Sequence, residues 1–347
     1  MKTVLIGLGR IGWDYHLKQI VSHDCFTLSA VVDTNTERLA EAKTLYGVKG
    51  YTDYRQMLLE EKPELVVIAS PTVFHKEQAI AAMEAGADVL LDKPMAMDYS
   101  EACSIAQVQQ KTGRKLVIYQ PRRFDRFTAT AKHILESGLL GNIYQIQLVN
   151  HSYARRDDWQ AFFQYGGGHL RNHGAHTIDL LLYLSGSTAN DFLCRTKRLL
   201  CLGDADDCVQ IIMQTKNDIQ LNIDLNMAAS IPHNYFVIYG VYGTAELRRD
   251  ENRKAYFYMK YCDPTHLEHK TASNELAAAN RAYPQDQVDW IEKCIPINDF
   301  DDADFYAACE EFFIRNGPSP VPLEQTLHVM ELIEKGYQQN SLRPSTM

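Results

Sequence analysis

The sequence predicts an α/β protein with two domains, a doubly wound parallel sheet followed by an α/β domain with an antiparallel or mixed sheet. In the first third of the chain, short apolar strand patterns alternate with longer helical patterns, which is typical of a parallel sheet covered on both faces. Later, runs of period-two alternation lie close together and indicate antiparallel or mixed pairing. The length of 347 residues fits two domains of ordinary size. We therefore expect domains at residues 1–122 and 123–347.

The elements of the first domain follow from its apolar runs and from the amphipathic stretches between them. We expect strands at 4–6, 28–32, 65–69, 88–91 and 116–119. The remaining stretches predict helices at 11–22, 37–46, 54–60, 75–85 and 99–112. Strands this short and apolar are typically buried on both faces of a sheet.

The second domain begins with a predicted helix at 127–137 and a long alternation of polar and apolar residues at 143–153. Further strand patterns occupy 209–214, 219–226, 235–239 and 244–247. Residues 264–283 are polar and alanine-rich, and we expect a loop and a helix there. Two final helices, 300–316 and 323–339, are separated by prolines that exclude helix at Pro318, Pro320 and Pro322.

A glycine motif at the start of the chain predicts a dinucleotide-binding Rossmann domain. The first apolar run leads directly into Gly7-x-Gly9-x-x-Gly12 and a helical stretch. The first glycine makes the tight turn, the second lets backbone amides approach a pyrophosphate, and the third lets the helix pack on the sheet. The helix N-terminus then presents free N–H groups to the phosphates. We expect this turn to contact the cofactor through Gly7, Gly9, Arg10, Ile11 and Gly12.

Asp33 predicts which dinucleotide is bound. It closes the second apolar run, 21 residues after Gly12, where a carboxylate can accept hydrogen bonds from ribose hydroxyls. Its charge would repel a 2′-phosphate, so we expect NAD rather than NADP as the cofactor. Arg10 and Arg38 could still reach a phosphate and admit some NADP.

Composition excludes several classes of partner. The net charge of −9 argues against nucleic acid and anionic membranes, because no basic field attracts phosphates. The apolar runs are far shorter than the ~20 residues of a membrane helix, and no cleavable signal pattern opens the chain. The eight cysteines include no Cys-x-x-Cys pair, as expected for reduced thiols. We therefore expect a cytoplasmic protein with a small-molecule substrate.

Lys93 is the first candidate catalytic residue. It follows the predicted strand at 88–91, so it leaves the carboxyl end of the sheet, where ligands bind in open α/β folds. A lysine there can hydrogen-bond a substrate oxygen and stabilise alkoxide character during hydride transfer. Pro94 restricts the backbone immediately after the lysine and makes an ordinary surface turn less consistent with the pattern.

A second group of candidates follows the glycines at 166–168. In a helix that begins there, Asn172, His176 and Asp179 share one face. His176 could accept the hydroxyl proton, Asn172 could position the substrate with Arg123, and Asp179 could orient His176 or cap a neighbouring turn. His169, His173 and His176 are also spaced for zinc, although hydride transfer already has its electrophile in the nicotinamide and we expect no metal.

Together these motifs resemble the glucose–fructose oxidoreductase, inositol dehydrogenase and rhizopine catabolism (Gfo/Idh/MocA) family. Asp92-Lys93-Pro94 is similar to the family's Glu-Lys-Pro, and the segment 167–176 is similar to its Gly-Gly-x-Asp-x-x-x-His, with Asn172 replacing the aspartate. Segments 70–75 and 120–124 resemble its loop beneath the nicotinamide and its interdomain Arg-Arg-Phe. The resemblance implies a C-terminal domain with a large, open, mostly antiparallel sheet. That sheet commonly pairs with another subunit, so we expect a homodimer or homotetramer.

The resemblance also implies an activity and further site residues. Family members oxidise sugars or polyols, so we expect an NAD-dependent oxidoreductase acting on a secondary alcohol of a sugar, sugar nucleotide or cyclitol. Implied cofactor contacts are Ser70, Pro71, Thr72, His75, Asp92 and Lys93. Expected substrate contacts are Lys93, Arg123, Tyr153, Trp159, Asn172, His173 and His176. Because Asn172 cannot act as a carboxylate base, we expect His176 and Lys93 to carry the proton chemistry.

Two other functions are consistent with the same motifs. One is a relative that uses tightly held NAD for transient oxidation during glycoside cleavage. The other is a catalytically silent NAD-binding protein that regulates a partner. The presence of both Lys93 and His176 argues against the silent regulator.

Overall fold

The first domain contains a six-stranded parallel sheet. A computed structural model describes residues 1–274 and 286–340 of the chain. The strands are β1 (Lys2–Ile6), β2 (Thr27–Val32), β3 (Lys49–Tyr51), β4 (Leu65–Ile68), β5 (Asp88–Leu91) and β6 (Leu116–Ile118). Their order is β3-β2-β1-β4-β5-β6, with every pair parallel, which is the arrangement of a dinucleotide-binding sheet. The predicted Rossmann fold is confirmed, and β3 is an additional edge strand too short and polar to be recognised by its pattern.

Helices cover both faces of this sheet. They are α1 (Lys18–Ser22), α2 (Thr36–Tyr46), α3 (Tyr54–Glu61), α4 (His75–Glu84) and α5 (Tyr99–Thr112). Alternate residues of β1 enter two different cores, Val4 on one face and Leu5 on the other, and both are fully buried. The predicted helix at 11–22 begins with a wider π-helical turn, Gly12–Leu17, before α1.

The second domain is built on an eight-stranded sheet. Its strands are β7 (Ile143–His151), β8 (Ala189–Lys197), β9 (Cys208–Thr215), β10 (Gln220–Asn226), β11 (Asn234–Gly240), β12 (Gly243–Arg249), β13 (Ala255–Tyr261) and β14 (Ile291–Pro296). Their order is β14-β13-β12-β11-β7-β10-β9-β8. Only β7 and β10 pair in parallel among these described strands, and the other neighbours are antiparallel. The predicted large, mostly antiparallel sheet is confirmed.

Three strands of this sheet, β8, β13 and β14, lie outside the predicted ones. β14 is an edge strand in which Ile295 alone is buried, so it lacks the apolar alternation that identifies a half-buried strand. β8 presents mainly polar side chains on its outer face and is held by pairing with β9, which local sequence does not reveal. The pairing of β13 with β12 and β14 is likewise a tertiary effect.

Helices α6 (Arg126–Glu136) and α7 (Ala175–Ser185) belong to the second domain, and two further helices follow the second sheet. Helix α8 (Phe305–Phe313) packs on the first sheet, where Tyr306 is buried with Leu5 and Leu17. Helix α9 (Leu323–Gln338) contacts α5 in the first domain and α7 in the second. The chain therefore returns to the first domain near its C-terminus, and the domain boundary at residue 122 stays a prediction.

Two predicted helices differ from the structure. Helix α8 is shorter than the predicted 300–316, because the Asp304 carboxylate accepts hydrogen bonds from the amides of Tyr306 and Ala307 and so begins the helix there. Within the predicted loop and helix at 264–283, Pro264–His266 forms a 3₁₀ turn, and residues 275–283 lie outside the described residues. In the described ranges, no helix combines the length and apolarity needed to cross a membrane.

Candidate active site

A cleft of about 850 Å³ lies between the two domains at the carboxyl ends of the first sheet's strands. Residues following β1, β2, β4 and β5 line one wall, and segments between β7 and α7 line the other. This cleft brings together most of the predicted site residues: Gly7, Gly9, Arg10, Ile11, Asp33, Ser70, Pro71, Thr72, Asp92, Lys93, Trp159, Asn172 and His176. Such a position is where open α/β sheets bind their ligands.

The glycine turn has the shape needed to hold a pyrophosphate. Gly7 has a φ of +94°, and a Cβ there would lie 2.6 Å from the Ala69 carbonyl oxygen. A Cβ at Gly12 would collide with the Gly7 carbonyl, so Gly12 is buried under the turn and does not line the cleft. At Gly9, nothing lies within 4 Å of the Cβ position. The turn is therefore closed beneath and open above Gly9, where a phosphate would approach the backbone.

Asp33 is fixed by the backbone around it. Its Oδ2 accepts a 2.7 Å hydrogen bond from the Leu8 amide, and its Oδ1 accepts one of 2.8 Å from the Asn35 amide. Arg38 Nη1 lies 3.3 Å from Asp33 Oδ2. The carboxylate therefore joins the glycine turn to the end of β2 and also pairs with the arginine that could admit a 2′-phosphate.

His75 supports the cleft from below and does not line it. One ring nitrogen lies 2.9 Å from the Pro94 carbonyl oxygen, and the other lies 2.9 Å from the Ser70 carbonyl oxygen. Burial lowers the pKa of His75, and the two carbonyl oxygens, which accept best from a ring with both nitrogens protonated, oppose this effect. The predicted cofactor contact of His75 is therefore replaced by a structural role, in which the ring joins the loop after β4 to the turn after β5.

Lys93 and Asn172 join the two walls of the cleft. Lys93 Nζ donates to the side-chain oxygen of Asn172 over 2.8 Å and to its backbone oxygen over 3.1 Å. Asn172 Nδ2 in turn donates to Gln160 Oε1 over 2.8 Å. Asn172 lies on a π-helical turn, Leu170–Gly174, which leads into α7. The lysine amine is thus held by two neutral acceptors and has no ion-pair partner within the described residues.

Burial raises the pKa of Asp92 and lowers the pKa of Lys93, so the two values lie closer together than in water. Desolvation and the positive charges of Arg156, Arg122 and Arg10 together lower the pKa of Lys93 to about 8, against the opposing effect of Asp92. Desolvation also raises the pKa of Asp92 to about 6. A lysine with a pKa near 8 can exchange protons at physiological pH, as a catalytic acid or base requires.

His176 lines the cleft beside Lys93 as a neutral imidazole. Burial holds its pKa well below 6.5, and the charge of Lys93 has the same effect. Its Nδ1 is buried and has no hydrogen-bond partner among the described residues. Desolvation and the neighbouring ammonium group therefore act against the neutral-range titration expected for His176.

The other two histidines of this segment do not form a metal site. The rings of His169 and His173 stack with centroids 5.4 Å apart, and His176 is edge-on to His173 at 6.5 Å. Burial lowers the pKa of His169 to about 3 and that of His173 to about 4. His173 does not line the cleft, so its predicted substrate contact is not formed by this geometry. In residues 1–274 and 286–340, no group of three or more His, Cys, Asp or Glu is arranged to hold a metal ion.

Arg123 and Asp179 form a buried ion pair. Arg123 Nε lies 2.8 Å from Asp179 Oδ2, and Nη2 lies 2.6 Å from Oδ1. Gln325 Oε1 accepts a further 2.7 Å bond from Arg123 Nη1. The predicted substrate contact of Arg123 and the predicted link from Asp179 to His176 are both corrected, because a bidentate pair with almost no exposed surface satisfies both side chains.

Of the two predicted substrate contacts in the loop after β7, Trp159 lines the cleft. Tyr153 is 61% exposed and forms an isolated antiparallel β-bridge with Ala228.

Two residues that support the site were not predicted from the sequence. Gln160 supports Asn172 but lies in a loop without a motif. Asp206 accepts hydrogen bonds from the Leu170 amide over 2.8 Å and the Tyr337 hydroxyl over 2.9 Å, and so holds the start of the Asn172 turn. No local signal identifies Asp206, because its partners are distant in the sequence.

Comparison with known families identifies the chain. A family model described as "Oxidoreductase family, NAD-binding Rossmann fold" matches residues 1–120. A second model, "GFO/IDH/MocA C-terminal domain", matches residues 128–246. The chain belongs to the Gfo/Idh/MocA oxidoreductase family. Its first domain is accordingly an NAD-binding domain of that family, in agreement with the open glycine turn.

Individual Gfo/Idh/MocA relatives are distant. The chain is 30% identical to the D-glucoside 3-dehydrogenase of Escherichia coli over 196 residues. This matched region covers 54% of this chain and 55% of that protein. It is 26% identical over 218 residues to the myo-inositol 2-dehydrogenase of Thermotoga maritima, covering 61% and 64% respectively. The matched region therefore spans less than two-thirds of either relative's length.

Solved structures match over nearly the whole chain. An NAD-binding protein from Listeria innocua has a TM-score of 0.79 at 24% identity and covers 97% of this chain and 94% of its own. The WlbA dehydrogenase from Bordetella pertussis, solved with NADH and UDP-GlcNAcA, has a TM-score of 0.76 at 19% identity, covering 98% and 96%. At such identities the likeness establishes a shared fold and nothing more.

The Arg123–Asp179 pair predicts a large effect on stability. Asp179→Ala should lower the free energy of unfolding by about 3–5 kcal/mol, because it leaves a buried guanidinium unpaired. Asp302→Ala, which breaks the exposed pair with Arg126, is the control and should cost about 1 kcal/mol or less. Urea unfolding followed by circular dichroism measures both, and equal losses would contradict a special role for the buried pair.

The position of Asp33 predicts a preference for NAD over NADP. A 2′-phosphate near this carboxylate would be disfavoured by about 1–4 kcal/mol, or roughly tenfold or more in Kd. Asp33→Asn should narrow the preference, because it removes the repulsion and frees Arg38 from its ion pair. Asp14→Asn, an exposed change of the same charge, should leave the preference unaltered. Fluorescence titration with both dinucleotides measures the ratio, and tighter NADP binding by the wild type would refute the assignment.

Proposed function

We propose that the chain is an NAD-dependent oxidoreductase that transfers hydride between nicotinamide and a secondary alcohol or ketone of a sugar, sugar nucleotide or cyclitol. The observation that carries this proposal is the contact of Lys93 Nζ with Asn172, beside His176 and at the edge of the dinucleotide cleft. The names of the relatives support the substrate class, since they include a glucoside dehydrogenase and an inositol dehydrogenase. A structural neighbour solved with UDP-GlcNAcA supports the inclusion of sugar nucleotides.

Different residues of the cleft would bind the cofactor and the substrate. The turn at 7–12, Asp33 and residues 70–72 would hold the dinucleotide, whose nicotinamide accepts or supplies the hydride when bound. Lys93, Asn172 and His176 line the same cleft and would meet a substrate hydroxyl there. The proton and the hydride therefore leave the substrate toward different groups.

Lys93 is the proton acceptor that this geometry favours. A neutral amine has two N–H donors and one lone pair, and Asn172 offers two acceptor oxygens to Lys93 Nζ. With both donors occupied, the lone pair is left for the substrate hydroxyl. An aspartate in place of Asn172 would hold the lysine protonated, whereas the amide accepts the same bond without adding charge. Asn172 therefore keeps Lys93 able to alternate between base and acid.

His176 positions the substrate in this proposal and does not act as the general base. As a neutral ring it can make a hydrogen bond to the substrate, but its lowered pKa makes it a poor proton acceptor. We therefore assign proton exchange to Lys93 and substrate positioning to His176. Asn172 orients the lysine and is itself held by Gln160.

Location and assembly form part of the same proposal. We propose a cytoplasmic homodimer or homotetramer that pairs through the outer face of the second sheet. On that face Leu193 and Ile212 are opposite each other in β8 and β9 and are 47% and 49% exposed. Their neighbours on the inner face, Cys194 and Ile211, are buried.

The activity is tested by NAD reduction with a substrate panel. We expect NADH absorbance to rise with one class among aldoses, inositols and nucleotide sugars. Lys93→Met should lower kcat about 10²–10³-fold with little change in NAD affinity, because it removes a group that acts mainly in the transition state. Lys111→Met, at an exposed residue near the end of α5 that does not line the cleft, is a control of the same charge change. If no panel member yields NADH or perturbs bound cofactor, the proposed activity is wrong.

The proton exchange is tested by pH dependence. Lys93 must be neutral to accept a proton, so oxidation should rise with pH through an apparent pKa near 8, and reduction should fall through it. His176→Asn should lower the rate yet keep this limb, whereas Lys93→Met should abolish it. The measurement is log kcat/KM as a function of pH for the wild type, His176→Asn and Lys93→Met. A limb that disappears with His176→Asn and persists with Lys93→Met would reverse the two assignments.

A further inference from the structure

A chain of hydrogen bonds runs from Lys93 through Asn172 to Gln160. Lys93 Nζ donates to Asn172 Oδ1 over 2.8 Å, and Asn172 Nδ2 donates to Gln160 Oε1 over 2.8 Å. All three residues line the cleft. The chain therefore has a direction, in which the oxygen of each amide faces the group that donates to it.

The backbone of Gln160 is fixed against the segment that leads to Asn172. Its carbonyl oxygen accepts a 3.1 Å hydrogen bond from the Gly168 amide, and a Cβ at Gly167 would collide with the same carbonyl. Its own amide donates to Asp158 Oδ1 over 3.1 Å. Because these contacts use only backbone atoms of Gln160, a change of its side chain leaves them in place.

The protonation state of Lys93 decides what holds the Asn172 amide in its orientation. An ammonium group only donates, so it keeps the amide oxygen toward itself. A neutral amine also carries a lone pair, to which Asn172 Nδ2 could donate if the amide turned round. That reversal would occupy the lone pair that the substrate hydroxyl needs. Once Lys93 has lost its proton, the productive orientation therefore requires a second partner for Asn172.

Gln160 is that partner. If Asn172 turned alone, its oxygen would face the Gln160 oxygen, and two acceptors would meet without a proton between them. Both amides would have to turn together, which breaks both hydrogen bonds of the chain at once. We propose that Gln160 is a positioning residue that fixes the orientation of the Asn172 amide and so keeps the lone pair of Lys93 free for the substrate. This inference rests on the proposed function, because it concerns Lys93 as the proton acceptor.

The charged groups that shift the pKa of Lys93 belong to other segments. They lie in the glycine turn, after β5, after β6 and after β7, and they are Arg10, Asp92, Arg122 and Arg156. His176 on α7 is held neutral by burial. Substitutions at Gln160 alter none of these residues. A change in the pKa of Lys93 on such a substitution is therefore due to the side chain at position 160 and to the amide that it orients.

The test uses two substitutions that act on Lys93 in opposite directions. Gln160→Leu removes the acceptor and lets the Asn172 amide turn, so the ammonium form of Lys93 loses a hydrogen bond and its pKa should fall by about 0.5–1 pH unit. Gln160→Glu keeps an acceptor of nearly the same shape and adds a negative charge, so the pKa should rise by about 0.5–1 pH unit. Gln338→Leu and Gln338→Glu, at an exposed residue of α9 that does not line the cleft, should leave it unchanged.

Acetylation of Lys93 by acetic anhydride measures this pKa on the full chain without a substrate, because only the neutral amine is acylated. Mass spectrometry reads the extent of acetylation at Lys93 as a function of pH. Where a sugar yields NADH, log kcat/KM against pH gives a second readout. Gln160→Leu should then lower the plateau at high pH roughly tenfold, since the lone pair is partly occupied, whereas Gln160→Glu should keep the plateau.

The outcomes separate this inference from the proposed activity. Acetylation midpoints that stay at the wild-type value in both Gln160 variants, or that move in the same direction, would refute the positioning role. Gln160→Met, which keeps the length of the side chain without the acceptor, replaces Gln160→Leu if circular dichroism shows that the leucine variant is unfolded. If the midpoints move in opposite directions but no sugar yields NADH, the orientation of Asn172 by Gln160 stands and the proposed activity falls. If sugars yield NADH and the midpoints do not move, the activity stands and the role of Gln160 falls.

Discussion

The buried ion pair between Arg123 and Asp179 is the constraint on which the geometry of the cleft depends. It ties the segment after β6, the last strand of the first sheet, to α7 of the second domain. Breaking such a pair leaves an uncompensated charge away from water, so the two elements cannot separate without a large loss of stability. His176 lies one helical turn before Asp179 on α7, so the pair also fixes the position of this helix turn relative to the first sheet.

A second support holds the turn that carries Asn172. Asp206 accepts hydrogen bonds from the Leu170 amide and the Tyr337 hydroxyl, and its backbone oxygen accepts one of 2.8 Å from the His169 amide. Burial raises the pKa of Asp206 to about 6. The start of the turn that carries Asn172 is thus held by a loop residue and a helix residue that lie far along the chain. This rigidity lets Asn172 present two oxygens to Lys93 at fixed distances, which a flexible loop would not do.

Electrostatics and burial act together on the reacting groups. Three histidines and one lysine share a region where desolvation opposes positive charge, so the imidazoles remain neutral and the lysine loses its proton more readily than in water. A neutral amide at residue 172 preserves that state, whereas a carboxylate would cancel it. The replacement of aspartate by Asn172 is therefore coherent with a lysine that exchanges protons.

The sequence by itself determined the dinucleotide fold and most of the cleft, because these depend on local rules. A glycine turn after a buried strand, an acidic strand end and a lysine at a strand's carboxyl end each occupy a few adjacent residues, and the parallel sheet places them at one edge. Only the tertiary structure decided which polar residues reach the cleft. Arg122 and Arg123 are neighbours of the same type, and nothing local indicates that one is buried against Asp179 while the other stays half exposed. The same holds for His75 and His173, and for the proton affinity of His176. The burial and the ion pairing of a side chain depend on residues that are distant in the sequence, so no local sequence pattern predicts them.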